Sequence, residues 1–75
     1  MTTTLAEEVR ARRGRPDPAT ARDIRLAAGV SQERLAHAVG VTRITIARWE
    51  DGSRQPRGRY LDDYLRVLGE LKAVA

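Results

Sequence analysis

The chain has 75 residues, enough for one small domain, and contains a single histidine and no cysteine. A disulfide framework, a thiolate metal site and any site that needs two histidines are therefore excluded. The net charge is +4, and because Lys72 is the only lysine among 14 basic residues, the other 13 are arginine. Guanidinium groups bind phosphates and guanine edges, which favours nucleic acid as the partner, although a G+C-rich genome would produce the same excess of arginine.

The charge is unevenly distributed along the chain. Residues 43–59 carry five arginines against two acidic residues, whereas residues 60–75 carry two basic residues against three acidic ones. No apolar run is long enough to span a bilayer, and the opening MTTTLAEEV lacks the basic start and apolar stretch of a signal peptide. We therefore expect a cytoplasmic protein without a membrane partner. No nucleophile–base pair or metal-binding cluster can be assembled from these residues, so we expect neither an enzyme nor a cofactor.

Residues 1–16 are predicted to form a basic N-terminal arm. The stretch TTLAEEVRAR, residues 3–12, predicts a short helix, and the tetrapeptide RGRP that follows at residues 13–16 resembles the core of an AT-hook, which lies in the minor groove of A·T-rich DNA. AT-hooks usually continue with basic residues after the proline, but Asp17 follows here. A plain linker, an independent AT-hook and an arm that contacts DNA remain open as alternatives. In the last case the contacts would come from Arg12, Arg13 and Arg15.

The first helix of the main domain is predicted to begin at Asp17–Pro18. Aspartate accepts hydrogen bonds from the free amides of a first turn, and proline suits the first helical position. The helix should run to about Ala28 and stop at Gly29. Its inner face should carry Ala21, Ile24 and the pair Ala27/Ala28.

Two short helices follow, each with its own start signal. Ser31 should cap the helix QERLAHAV, which ends at Gly40, and Thr42 should cap the helix RITIARWE. The apolar spacing turns some residues of the two helices towards a shared core, namely Leu35, Ala36, Val39, Ile46 and Trp49. The second of the two helices should turn the opposite face outwards, with Arg43, Ile44, Ala47 and Arg48.

A turn-rich basic loop, DGSRQPRGR, leads to the last helix, which is predicted from about Arg59 to Leu71. Its apolar residues recur every three or four positions: Leu61, Tyr64, Leu65, Leu68 and Leu71. No stretch alternates with a period of two. We therefore expect an all-α fold of four to five helices, in which residues 17–75 form one compact domain with a helix-turn-helix.

The segment from Gln32 to Asp51 meets several requirements of a helix-turn-helix at once. Ala36 is small where the second helix must cross, and Gly40 allows a left-handed turn. Here, in GVSQERLAHAVGVTRITIARWEDG, the sequence resembles the Cro and phage-repressor (Xre-type) proteins, over about residues 19–69. The resemblance implies a lambda-repressor-like fold. It also implies an ion pair between Arg25 and Glu50 that ties the first helix to the end of the recognition helix.

The same resemblance implies which residues contact DNA. In such domains the second helix of the motif lies in the major groove. The matching base-contact candidates are Thr42, Arg43, Ile44, Thr45, Ala47 and Arg48. Arginine can bind guanine in a bidentate manner and isoleucine can contact a thymine methyl group. The matching phosphate-contact candidates are Gln32, Arg54, Arg57 and Arg59.

The function implied is sequence-specific regulation of transcription, in the form of a Cro-like repressor that binds a pseudo-palindromic operator as a homodimer. Two other functions remain open. One is an antitoxin or adaptor that chiefly binds a protein partner and regulates its own synthesis through DNA. The other is an architectural or recombination accessory protein that binds DNA with little base preference.

Overall fold

The computed structural model describes residues 4–5 and 16–75. Four helices follow one another in the described chain: α1 (Pro18–Ala27), α2 (Gln32–Val39), α3 (Arg43–Asp51) and α4 (Gly58–Val74). These residues contain no β-strand, and the predicted all-α fold is confirmed. The predicted helix over residues 3–12 lies outside the described residues except for Thr4 and Leu5. The arm residues Arg12, Arg13 and Arg15 also lie outside them.

The first three helices begin at the predicted capping residues. The Asp17 carboxylate accepts a hydrogen bond from the Thr20 amide at 3.1 Å. The Ser31 hydroxyl accepts one from the Arg34 amide at 3.0 Å, and Thr42 caps α3 in the same way. Each cap satisfies an amide that has no partner within its helix.

Glycines end α1 and α2 as the sequence predicts. Gly29 and Gly40 adopt φ angles of 69° and 87°, which residues with a Cβ atom resist. After Gly29, the Val30 amide reaches back to the Arg25 carbonyl at 3.2 Å, and after Gly40 the Val41 amide reaches the Ala36 carbonyl at 3.0 Å. These bonds satisfy the free carbonyls at both helix ends and turn the chain sharply. The second turn is the one that sets α3 across α2.

The core lies where all four helices meet. α3 packs against α1 and α2, and α4 packs against the same two helices. Leu35 and Ile46 are completely buried, and the rings of Trp49 and Tyr64 lie 4.7 Å apart between centroids with a tilt of 49°. The predicted inward residues of α2 and α3 are therefore confirmed. This packing holds α3 rigidly while its other face stays exposed.

One detail of the predicted inner face of α1 is wrong, and the apolar positions of α4 are not all buried. In α1, Ala28 is half-buried but Ala27 is exposed, because the buried face passes through Ala21 and Arg25 instead. In α4, Leu65 is 37% exposed, whereas Val67 is only 5% exposed. The inner face of α4 follows positions 64, 67, 68 and 71, and position 65 lies about 100° around the helix from position 64. The helix also runs three residues beyond the predicted end at Leu71.

Candidate nucleic-acid interface

The outer face of α3 presents the side chains that the sequence singles out. Arg43, Ile44 and Arg48 are exposed, and Thr45 and Ala47 are half-buried. Ile44, a large apolar side chain, is 53% exposed on this face. Such a face can offer guanidinium donors and an apolar contact to one surface at the same time.

The start of α3 is fixed by a small hydroxyl cluster. The Thr42 hydroxyl accepts from the Thr45 amide at 3.3 Å and lies 3.0 Å from the Thr45 hydroxyl. Thr42 therefore serves first as the helix cap. Because a hydroxyl carries two lone pairs and one proton, the pair retains capacity for a further hydrogen bond from outside.

Gln32, at the start of α2, joins two elements through its side-chain amide. Its Nε2 atom donates to Glu50 Oε1 at 3.1 Å, and its Oε1 atom accepts from Arg43 Nη1 at 3.4 Å. The sequence predicts Gln32 only as a phosphate contact. These two contacts depend on the conformations of side chains that belong to two different helices, and no pattern in the sequence predicts them.

Arg25 of α1 and Glu50, near the end of α3, form a buried ion pair. Arg25 Nε donates to Glu50 Oε2 at 2.6 Å and Arg25 Nη2 donates to Glu50 Oε1 at 2.9 Å, while Nη1 donates to the Val30 carbonyl at 2.9 Å. Hydrogen bonding to Glu50 raises the pKa of Arg25. Burial acts to raise the pKa of Glu50, but the hydrogen bonds from Arg25 and Gln32 outweigh it and hold that pKa below its ordinary value. Both groups are therefore charged.

The loop between α3 and α4 continues the basic surface. Arg54 and Arg57 are exposed on it, and Arg59 is exposed in the first turn of α4. The Asp51 carboxylate accepts from the Ser53 amide at 2.7 Å, and hydrogen bonding to Ser53 lowers the pKa of Asp51. The loop is therefore anchored directly to the end of α3.

Two concave surfaces connect this loop with the helices on either side. An open cleft of about 780 Å³ is lined by Arg54, Arg57 and Tyr60 together with Trp49 and other residues of the loop. A second recess, of about 350 Å³, is lined by Arg48 of α3 and by Arg54 and Gln55 of the loop. Arg48 and Arg54, which the sequence assigns to different tasks, thus share one surface. Gln55 lines both of these surfaces and Tyr60 lines the larger cleft, and neither was predicted as a site residue. Only their position beside the loop arginines could have indicated them.

The sequence from residues 22–72 matches the helix-turn-helix family HTH_3. The chain belongs to this Xre-like helix-turn-helix family. The resemblance to the Cro and Xre-type proteins is therefore confirmed, and the protein is a DNA-binding transcriptional regulator of the Xre type. A comparison with curated proteins gives no match.

The HTH_3 match covers α2, α3, the basic loop and most of α1 and α4. It leaves out the predicted arm. In residues 4–5 and 16–75, no helix is both long and apolar enough to cross a membrane. Among the same residues, no group of three or more histidine, cysteine, aspartate or glutamate side chains is placed to hold a metal ion.

Proposed function

We propose that this protein is a Cro-like repressor that binds a pseudo-palindromic operator through the major groove. The observation that carries the proposal is the continuous surface formed by Arg48 of α3 and Arg54 of the loop, next to the exposed Arg43 and Ile44. A helix alone could be a packing element, but a helix joined to a basic loop fits a groove and the phosphates beside it.

The side chains divide into two tasks on DNA. Arg43 and Arg48 read guanine through its O6 and N7 atoms, and Ile44 contacts a thymine methyl group. Thr42, Thr45 and Ala47 complete the base-contact face. Phosphates are held by the groups at both ends of this face, namely Gln32, Arg54, Arg57 and Arg59.

Pro16, where the predicted arm meets the domain, lies beside this surface. Pro16 and Pro18 line a small recess together with Arg54 and Pro56 of the loop, and a methyl group added at Gly52 would lie 3.7 Å from Pro18 Cγ. The arm therefore joins the domain beside the basic loop. From that point Arg12, Arg13 and Arg15 contact phosphates or the minor groove next to the half-site.

A homodimer would present two recognition helices to successive major grooves, about 34 Å apart. Two apolar side chains near the chain ends, Leu5 (73% exposed) and Val74 (81% exposed), are available for the contact between protomers. Repression would follow from occupancy of the operator in the cytoplasm, where the dimer excludes polymerase.

The test is a random-site selection followed by fluorescence-anisotropy binding to the selected and a scrambled duplex at two salt concentrations. Arg43→Ala should lose about 1–3 kcal/mol of discrimination at one base pair. Arg57→Ala should weaken both duplexes alike and reduce the slope of log K against log salt by about 0.9. Arg66→Ala is the matched control, because it removes the same charge from a residue that is paired with Glu70 on α4 at 3.0 Å.

A second candidate function is supported by an apolar groove between α2 and α4. It has a volume of about 230 Å³ and is lined by Val30, Ala38, Val67 and Leu71, with Arg34 and Glu70 at its rim. With the exposed Ile44, it would suit an antitoxin or adaptor that binds a protein partner. Co-purification of a partner that Ala38→Glu releases, together with unchanged DNA binding by Arg43→Ala, would favour this function. Equal affinity for selected and scrambled DNA would instead favour an architectural protein.

A further inference from the structure

One large apolar side chain on the outer face of α3 stands apart from the core. Ile44 is 53% exposed and, within the described residues, it belongs neither to the buried cluster nor to the partly buried side chains packed against that cluster. The apolar side chains that α3 contributes to the core are Ile46 and Trp49. The apolar surface of Ile44 is therefore available for contact with a ligand.

Helical spacing places Ile44 next to Arg48. Residues four positions apart lie on one face of a helix with Cβ atoms about 5–6 Å apart, whereas neighbours such as Arg43 and Ile44 point about 100° apart. Arg48 is exposed, and Ala47 adds only a methyl group between the two longer side chains. An apolar patch thus lies beside a guanidinium group on the face that is proposed to enter the major groove.

A C5-methylated pyrimidine next to a guanine offers DNA groups that match this pair of side chains. On the major-groove edge, the C5-methyl group lies one base step, about 3.4 Å along the strand, from the O6 and N7 atoms of the guanine. The guanidinium of Arg48 can bind these two atoms in a bidentate manner. Its aliphatic stem and the side chain of Ile44 can then cover the methyl group.

Isoleucine cannot identify which pyrimidine carries the methyl group. On the major-groove edge, thymine has an acceptor at O4 and a C5-methyl group, whereas cytosine has an amino donor at N4 and no methyl group. The side chain of Ile44 has no polar atom that could distinguish O4 from an amino group, so the methyl group is the feature that it recognises. In 5-methylcytosine the same group is attached to the same carbon.

We propose that Ile44 reads the C5-methyl group of a pyrimidine that is followed by guanine, and that methylation of a cytosine at this position increases the affinity of the protein for DNA. The protein thus senses the methylation state of its operator as well as its sequence. The proposal rests on the proposed major-groove function of α3. It goes beyond that function because a covalent mark on the DNA regulates binding without a change of sequence.

The test compares duplexes that differ by one methyl group. In the selected operator, each thymine that is followed by guanine is replaced in turn by deoxyuridine, which lacks only the methyl group. At the position where this replacement weakens binding, the T·A pair is then exchanged for C·G and for 5-methylcytosine·G. Affinities are measured by fluorescence anisotropy for the wild type and for Ile44→Ala.

The wild type should prefer thymine to deoxyuridine and 5-methylcytosine to cytosine, each by about fourfold per half-site, the effect of burying one methyl group. Ile44→Ala should lose both preferences. Leu26→Ala is the matched control and should keep both, because it removes a side chain of similar exposure, 51%, from α1. Thermal unfolding checks that Ile44→Ala keeps its fold, which is expected since Ile44 lies outside the core.

The outcomes separate this proposal from the proposed function. If no replacement by deoxyuridine weakens binding, or if the effect survives in Ile44→Ala, the methyl-reading role is overturned. A response to deoxyuridine without a response to 5-methylcytosine overturns it as well. In each of these cases a preference for the selected over the scrambled duplex still upholds the DNA-reading function. If the wild type shows no such preference, the proposed function fails and the methyl-reading role fails with it.

A random-site selection on a library methylated at every CpG step provides an independent readout. From this library the wild type should recover sites in which CpG takes the place of TpG, whereas the unmethylated library should yield TpG at that step. Ile44→Ala should recover the same sites from both libraries. An identical wild-type consensus from the two libraries would overturn the proposal.

Discussion

Arg25 on α1 and Glu50 on α3 form a bidentate ion pair whose side chains are only 8% and 3% exposed, with an Nε–Oε2 distance of 2.6 Å. The two residues are 25 positions apart in the chain, so the pair is a tertiary link and not a feature of one helix. It fastens the end of the recognition helix to a helix outside the helix-turn-helix. The orientation of α3 therefore depends on a charge pair as well as on the apolar core.

The first prediction concerns removal of one partner of this pair. Glu50→Ala leaves the Arg25 guanidinium buried without its counter-charge, which should lower the free energy of unfolding by about 3–5 kcal/mol. A domain of this size has a total stability on the order of 5–10 kcal/mol, so a large fraction of that stability should be lost. Urea unfolding followed by circular dichroism measures the change.

Two further variants show whether the charge itself is responsible. The double variant Arg25→Met/Glu50→Leu removes both charges and should recover most of the loss, because no unpaired charge remains buried. Arg66→Ala breaks an exposed pair with Glu70 and should change stability by less than about 0.5 kcal/mol. Equal effects of Glu50→Ala and Arg66→Ala would contradict the structural role of the buried pair.

The second prediction concerns acid. The pKa of Glu50 in the folded state lies below its ordinary value of 4.5, so the carboxylate contributes stability that is complete above that value. This contribution is lost as the pH falls through the folded-state pKa. Asp51, whose pKa is also lowered, acts in the same direction. The melting temperature of the wild type should therefore fall on acidification below about pH 5.

Glu50→Gln isolates the contribution of the buried carboxylate. Near neutral pH the melting temperature of this variant should be lower than that of the wild type. On acidification it should fall by less, because Asp51 is the one remaining carboxylate of the two whose pKa values are lowered. Glu33→Gln is the control for removal of an exposed carboxylate from α2. Parallel curves for Glu50→Gln and the wild type would show that Glu50 does not couple folding to pH.

The helix-turn-helix could be predicted from the sequence because its signals are local. A capping hydroxyl at Ser31 or Thr42 acts within its own turn, and Gly40 needs only its own φ angle of 87°. The exposed face with Arg43 and Arg48 follows from helical spacing once α3 is placed. These features depend on residues that are near one another in the chain.

The sequence could not specify how helices rotate or how side chains meet across them. Leu65 and Val67 are both apolar and two residues apart, and packing against α1 and α2 decides that Val67 is the buried one. The link from Gln32 to Arg43 requires two side-chain conformations that the chain fixes only after folding. The surface shared by Arg48 and Arg54 likewise depends on the path of the loop.

The third prediction compares alanine substitutions at Gly40 and Gly69, where an added methyl group would have no atom within 4 Å. Gly40 has a φ angle of 87°, so Gly40→Ala should destabilise the protein by about 1–2 kcal/mol through the backbone alone. Gly69 lies inside α4, so Gly69→Ala should stabilise it by roughly 0.5–1 kcal/mol. Urea midpoints of the two variants should therefore move in opposite directions. A shift in the same direction would mean that packing, not backbone conformation, dominates at one of the sites.

The fourth prediction concerns the Tyr64 hydroxyl, which is buried and has no hydrogen-bond partner among the described residues. Burial is the main cause that raises the pKa of Tyr64 to about 12, and the charge of Glu50 adds to it. Because an unpaired hydroxyl gains nothing from folding and loses its hydration, Tyr64→Phe should leave the free energy of unfolding unchanged or raise it by up to about 1–2 kcal/mol. Tyr60→Phe, on an exposed ring, is the control.

Alkaline unfolding provides the second readout of this variant. The raised pKa means that neutral Tyr64 contributes stability that is complete below pH 10 and is lost as the pH rises through about 12. Tyr64→Phe should remove this component of the alkaline transition, whereas Tyr60→Phe should retain it. A loss of more than about 1 kcal/mol in Tyr64→Phe at neutral pH would contradict the prediction. The hydroxyl would then have a partner, and the recess of about 60 Å³ that Tyr64 lines with Trp49 is large enough for a bound water molecule to be that partner.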